Sequence, residues 1–568
     1  MIGGARLERG LRWPAAEGQL RAALAKLLQL LPALLLLALI VLPLVLLLRY
    51  LGDDADGIWP HLVRTVLWEY VLNSLLLVLG VGLGTLTVGA GAAWLVTMYR
   101  FPGRDVFLWA LFLPLAMPAY VLAYAYTDLL DVAGPVQTTL RNFWGAEGPV
   151  RDLFQIRSLP GAVFVLSLAL YPYVYALARA AFVEQSQCAL EVSRTLGCTG
   201  WGAFQRVGLP LARPAIVAGL SFVVMETLAD FGAVSFFGVP TLTTGIYRAW
   251  YGLASPAAAA QLSALLLGFV LLVVVLERRL RQGARFSVET THLYHKHLPR
   301  LRGLPALAAS LALGLVVTLG FALPAVVLLG MIPDGLETVS LDRLATLAGH
   351  TLQLGAGTAV LLVAVALLVA FAAHGPASRG ARALARAATL GYAVPGAVIG
   401  VAILLAVGTF DQLLGRLLGL QGLIVGGTLI AVVYGYLVRF FAVAYHPLEA
   451  GLARVNLRLE DAARTLGHGR LATFLRIDLP LLRPALLSAL LLVLVDVMKE
   501  LPATLILRPF NFDTLAIEAY RLATTERLDG AALPSLLIVL AGLVPVVLIC
   551  RMTEGRIVRS ARREPRPA

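Results

Sequence analysis

Apolar residues along this chain come in long unbroken blocks, not in alternation, and short polar or charged stretches separate them. A helix needs about 20 apolar residues to cross the ~30 Å hydrocarbon layer of a bilayer. Twelve blocks approach or exceed that length, near 27–48, 71–97, 107–127, 159–178, 214–236, 257–276, 304–330, 351–373, 388–410, 421–438, 484–506 and 533–550. Closed barrels, the other spanning solution, need short alternating strands, and runs of Leu, Val and Ala do not alternate. The pattern predicts an all-α polytopic membrane protein with about 12 transmembrane helices.

Composition agrees. Of 568 residues 59% are hydrophobic and 14% charged, with a mean hydropathy of +0.84. A soluble core of this size could not hide that much apolar surface. The net charge of +13 raises the prospect of nucleic acid, but a cytoplasmic N-terminus places 34 of the 46 basic residues in segments on the inner side, as the positive-inside rule requires. Both termini are then cytoplasmic and the partner surface is lipid, not nucleic acid. Arg6, Arg9, Arg12, Arg21 and Lys26 precede the first apolar run, which is longer than a signal-peptide core of about 7–15 residues and reads as a retained span. The three cysteines, Cys188, Cys198 and Cys550, fall on the inner side or at a span end, so no disulfide framework is expected.

The chain repeats itself. Residues 191–216, EVSRTLGCTGWGAFQRVGLPLARPAI, and 461–486, DAARTLGHGRLATFLRIDLPLLRPAL, match at 12 of 26 positions with no gap, 270 residues apart. Each copy follows a fourth span and precedes a fifth. An even number of spans returns the chain to the same side, so the halves are parallel six-helix repeats. The expected division is an inner N-terminal segment 1–26, a first repeat 27–276 with its loop near 184–213, a linker 277–303, a second repeat 304–550 with its loop near 449–483, and a tail 551–568.

Each loop predicts two short helices. Gly197 and Gly467 supply a flexible or left-handed stop after the first. The second offers Trp201, Phe204 and Val207, or Leu471, Phe474 and Ile477, on one side. Pro210 and Pro480 are expected to end it, and Pro214 and Pro484 to open the next span. Turns between spans need no apolar knobs facing cytosol, so the loops read as docking surfaces. An acidic residue before Ala-Ala, then Gly, then Leu-Pro resembles the EAA loop of bacterial ABC importer permeases, whose loop inserts into a cleft of the ATPase subunit. The resemblance assigns docking to Asp461, Ala462, Ala463, Gly467, Leu471, Phe474 and Pro480, and to Glu191, Gly197, Trp201, Phe204 and Pro210. The first copy departs from the pattern, with Val192 and Ser193 in place of both alanines.

No lysine completes a phosphate-binding Gly-Lys-Ser/Thr turn: Lys26, Lys296 and Lys499 follow Ala25, His295 and Met498. Such a turn holds nucleotide phosphates, so ATP and Mg belong to a partner subunit and the chain is expected to be no enzyme and to carry no cofactor. Two docking loops imply two ATPase copies. After the loops, Glu226 and Asp230 match Asp496 and Glu500, Thr244 matches Thr514, and Trp250 matches Tyr520 at the same offset. Charges within spans ask for a reason. Two readings stand: Asp496, Lys499 and Glu500, with Glu226 and Asp230, line a pathway, or they pair with Lys499 and helix-end donors to hold the halves together.

The strings ETLADFG, GVPTLTTGIYRAW and DVMKELPATLILRPFNFDTLA, with the fused twelve-span layout, resemble the permeases of the ferric-iron uptake family. That resemblance implies the MetI-like ABC permease fold, translocation of Fe³⁺, a periplasmic or lipid-tethered substrate-binding protein and residence in the bacterial inner membrane. Thiamine, polyamine and phosphonate importers use related permeases. An ion-coupled secondary transporter also has twelve spans in parallel halves, and a membrane scaffold is the third class. Smaller signals are His292, His295 and His297 in the linker, tyrosines 120, 124, 126, 171, 173 and 175 near span ends, where aromatics mark the interface, and Gly80, Gly82, Gly84, Gly89 and Gly91 in the second span, read as close helix packing.

Overall fold

A computed structural model describes residues 14–53, 57–144, 155–184, 195, 197, 200–281, 299–374, 378–419 and 422–562. These residues are almost entirely helical. Ten helices are long and apolar enough to cross a membrane, and two bent pairs bring the total to twelve. Six belong to each half. In the first half these are α1 (Pro14–Leu48), α2 (Leu67–Met98), the bent pair α3 (Arg104–Ala110) and α4 (Ala119–Leu130), α5 (Leu159–Glu184), α6 (Leu209–Ala229) and, after the short α7 (Gly232–Phe236) and α8 (Leu242–Tyr247), α9 (Pro256–Arg281). The second half holds α10 (Leu304–Val317, continued to Gly330), α11 (Leu341–Ala373), the short α12 (Arg379–Ala388), α13 (Gly396–Leu418), α14 (Leu429–Leu452), the loop helix α15 (Leu457–Thr465), α16 (Arg483–Lys499), the short α17 (Pro502–Leu507) and α18 (Leu515–Thr524), and α19 (Leu528–Arg562).

Proline sets two of the departures from the sequence-derived spans. The third span bends by 93° between Ala116 and Ala119, because Met117 precedes Pro118 and is extended (φ −107°, ψ 111°); the proline ring excludes helical geometry there. Val394 before Pro395 does the same in the second half (ψ 125°). The ninth span therefore starts at Gly396, not near 388, and the tenth follows it to Leu429–Leu452.

Small residues let α2 and α5 touch. A Cβ on Gly80 would lie 2.8 Å from Val163, on Gly84 2.3 Å from Ser167, and on Gly89 2.8 Å from Val174. Gly82 and Gly91 face open space, so the packing stripe is 80, 84 and 89. The tyrosines expected at the membrane interface are instead interior: Tyr120, Tyr124, Tyr126, Tyr171 and Tyr175 are all buried.

The first helix of each half packs on the other half. From α1, Ala33, Leu36, Ile40 and Leu47 join one core with residues of α11–α14 and α16, and Tyr434 donates to the Leu39 carbonyl at 2.6 Å. Ala306, Ala309 and Leu313 of α10 join a second core with α2, α4 and α5, and Tyr126 donates to the Leu319 carbonyl at 2.6 Å. Arg157 ties the halves by bridging Asp131 of the first at 3.0 Å and Glu526 of the second at 2.7 Å. The hydrogen bond from Arg157 holds the Glu526 carboxyl below its ordinary value.

Candidate functional site: a charged cavity between the halves

Both α6 and α16 lead from a repeated loop and stop directly before an acidic residue. Asp230 and Glu500 follow the last helical residues with extended backbone (ψ 131° and 118°). Each carboxylate then opens the next short helix: Asp230 accepts from the Val234 amide at 3.1 Å, and Glu500 from the Ala503 amide at 3.0 Å. An acidic side chain at a helix start satisfies an orphan N–H and favours the dipole. Asp230 thus lies beyond the helix that carries Glu226, and Glu500 beyond the end of α16.

All five sequence-derived residues, the acids Glu226, Asp230, Asp496 and Glu500 and the lysine Lys499, line one cavity of about 130 Å³, space for about four waters at liquid density. Lys499 reaches Asp496 at 2.7 Å. Glu500 does not pair with Lys499; it faces Arg439 at 3.2 Å, both side chains under a tenth exposed. Glu226 accepts from the Tyr392 hydroxyl at 3.1 Å. Arg439, Tyr392, Tyr173 and Tyr120 complete the polar lining. Sequence reasoning placed Arg439 in an inner loop because the apolar block 421–438 ends just before it. Helical periodicity carried on to Leu452 would have found it.

Four carboxylates and two cations give the lining a formal balance of two negative charges. Low-dielectric walls focus such a field. Among the described residues, no three His, Cys, Asp or Glu side chains cluster to hold a metal. Arg439 and Lys499 each pair with one acid, Glu500 and Asp496 respectively.

The acidic pair Glu226 and Asp496 keeps the offset of 270, but the segment beyond does not. Thr241 caps α8 by accepting from the Thr244 amide, and Thr514 caps α18 by accepting from the Ile517 amide. Leu242 and Leu515 donate to Ser74 and Thr351 respectively. Thr241 therefore corresponds to Thr514, and Tyr247 to Tyr520. The pairings of Thr244 with Thr514 and Trp250 with Tyr520 are corrected by three residues, which lengthen the second copy around α17.

The loops are built on the expected glycines. Gly197 and Gly467 have φ of +80° and +83°, and a Cβ at either would meet open space, so conformation and not crowding calls for glycine. The His468 amide donates to the Ala463 carbonyl at 3.0 Å, a Schellman closure of α15. Asp461, Ala462 and Gly467 are exposed and Ala463 is buried. Glu191 lies outside the described residues, as do Val192, Ser193 and the linker histidines, and the Trp201 side chain is likewise not described.

Two expectations for the second loop helix fail. Pro210 does not end it, because Phe204–Gly208 forms a π turn in which the Leu209 amide bonds to the Phe204 carbonyl. The widened turn accommodates a proline lacking N–H, and the helix runs on into α6. In the second copy Phe474–Asp478 makes the same turn, Pro480 is likewise helical, and the chain bends by 71° beside Leu482. The phenylalanines also turn inward. Phe204 packs on Trp94 at 5.1 Å, and Phe474 on Phe371 at 4.5 Å. Leu471 remains 60% exposed.

The family model of the binding-protein-dependent transport system inner membrane component matches residues 85–283 and again 363–559. The chain belongs to that family. It is a fused permease carrying two copies of the domain. The Fe(3+)-transport system permease protein FbpB 2 of Haemophilus influenzae is 26% identical over 502 residues, 86% of this chain and 90% of the relative. The ferric transport system permease protein FbpB of Actinobacillus pleuropneumoniae is 27% identical over 518 residues, 86% of this chain and 72% of the relative. The sulfate transport system permease protein CysT of Escherichia coli is 31% identical over 144 residues, 25% of this chain and 49% of the relative. An importer permease of this family works with an ATPase and a substrate-binding protein.

Proposed function

We propose that this permease moves ferric iron across the bacterial inner membrane. The acid-rich cavity between its halves carries the reading. A lining with two excess negative charges attracts a cation and repels sulfate, and the two ferric-named relatives align over 86% of the chain where the sulfate permease aligns over 25%. Carboxylate and phenol oxygens are hard donors suited to a trivalent ion. Pairing with Lys499 and Arg439 lets the acids guide the ion without trapping it.

A periplasmic or lipid-tethered binding protein delivers the ion to the face away from the docking loops. Two copies of a separate ATPase, which holds ATP and Mg, seat on the loops at Gly197 and Gly467, with both termini on the same cytoplasmic side. Closure of the ATPase pair moves the loops, and each loop helix transmits that motion through its π turn into α6 or α16, whose far ends carry the cavity acids. The chain does no bond chemistry of its own.

The test is reconstitution with the ATPase and binding protein in liposomes, offering labelled Fe³⁺, sulfate and thiamine. ATP-dependent iron uptake that survives a proton uncoupler is expected. Uptake of sulfate or thiamine with none of iron would overturn the cargo, and collapse with the uncoupler would overturn the drive.

A further inference from the structure

A second cavity, of about 610 Å³, lies between the charged cavity and the docking loops. Three helices line both in order. Along α6, Phe222 and Met225 face this vestibule and Glu226 faces the charged cavity. On α14, His446 is below and Arg439 above; on α16, Leu492 precedes Asp496. The two spaces therefore lie in series along three shared helices, and Tyr392 lines both.

Tyr392 is held at that junction from two sides. Its hydroxyl donates to Glu226 Oε1 at 3.1 Å. Its ring meets Phe222 edge-on, 6.4 Å between centroids at 68°, and Phe222 stacks on Tyr173 at 6.3 Å and 20°. It sits in the 3-10 turn Thr389–Ala393, directly before the Val394–Pro395 break, where the helix ladder is already interrupted.

From this we infer that Tyr392, with Phe222 and Tyr173, is the gate between the charged cavity and the docking-loop face, latched by its hydrogen bond to Glu226. A cation entering the cavity competes for the Glu226 carboxylate, withdraws the acceptor and frees the ring to swing with its turn. Cargo charge and gate opening thus share one carboxylate. The inference rests on the permease reading, but the gate itself does not require the cargo to be iron.

The test reads accessibility, not transport. With the three native cysteines replaced by serine, Ala229→Cys puts a thiol in the charged cavity. A membrane-impermeant thiol reagent is applied from the docking-loop face of oriented proteoliposomes. Labelling is expected to be slow in this parent and about tenfold faster with Tyr392→Phe, the worth of one hydrogen bond to a charged group. Tyr392→Ala should be faster still. Ga³⁺, a redox-inert trivalent ion, should speed labelling of the parent but not of Tyr392→Phe. Because phenylalanine keeps the ring, an unchanged unfolding midpoint shows that the variant is folded. Equal rates in the parent, Tyr392→Phe and Tyr392→Ala would overturn the gate. A faster Tyr392→Phe with no response of the parent to Ga³⁺ would overturn the cation trigger, and failed iron uptake with both responses intact would fault only the cargo.

Discussion

Arg439 and Glu500 are each worth little to stability alone and become expensive when separated. Both side chains are under a tenth exposed and 3.2 Å apart, so each offsets the other's desolvation. Arg439→Gln leaves a buried carboxylate facing no cation and is expected to cost about 3–5 kcal/mol. The pair replaced together, Arg439→Met with Glu500→Leu, should lose chiefly the cap that Glu500 gives the Ala503 amide, about 1 kcal/mol. Thermal unfolding in detergent compares the two. A double variant as unstable as the single one would show that the charges are not balancing each other. The double variant should still transport poorly, since it strips charge from the route while sparing the fold.

The second loop helix serves as an element with two faces, and they are separable by substitution. Phe474 is 5% exposed against Phe371, whereas Leu471, three residues earlier, is 60% exposed. Phe474→Ala is expected to cost about 3–5 kcal/mol of stability by unseating the helix from the membrane core. Leu471→Ala should leave the unfolding midpoint within about 0.5 kcal/mol of the parent yet weaken capture of the purified ATPase. Unchanged capture would remove Leu471 from the docking surface. This division shows what could be read from the chain and what could not. The repeat exposed the loops, and the glycines marked where each first loop helix stops, because both are local properties of residue type. Which side of a short amphipathic helix faces the core is not local: Phe204 and Phe474 look the same whether they seat the helix or contact a partner. Arg439 escaped for a different reason, since the apolar block before it was long enough to count as a complete span. The acids were found as a set because intramembrane charge stands out against Leu and Val, but their partners depend on where α6 and α16 stop.

At the scale of the whole molecule, the exchange of α1 and α10 joins the halves by packing as well as by sequence. No sequence signal announced it, because a helix face toward lipid and one toward another helix have similar composition, and helices associate in bilayers through close packing. The contacts are nonetheless specific. Ala33, Leu36, Ile40 and Leu47 are buried in a core they share with α11–α14 and α16 of the second half, and Ala306, Ala309 and Leu313 in one they share with α2, α4 and α5 of the first. Arg157 adds a clamp to Glu526 and Asp131. A protease site inserted between residues 289 and 290 therefore separates the sequence halves without separating the structure. After cleavage in detergent, the two fragments should elute together with an unfolding midpoint close to that of the intact chain. If the fragments also lack residues 1–48, the pair should dissociate more readily, because the first half then loses the helix that buries Ala33, Leu36, Ile40 and Leu47 on the second. Fragments that part cleanly with α1 and α10 intact would mean the exchanged helices do not bind the halves, leaving the covalent linker as the tie that keeps the two sides of the charged cavity together.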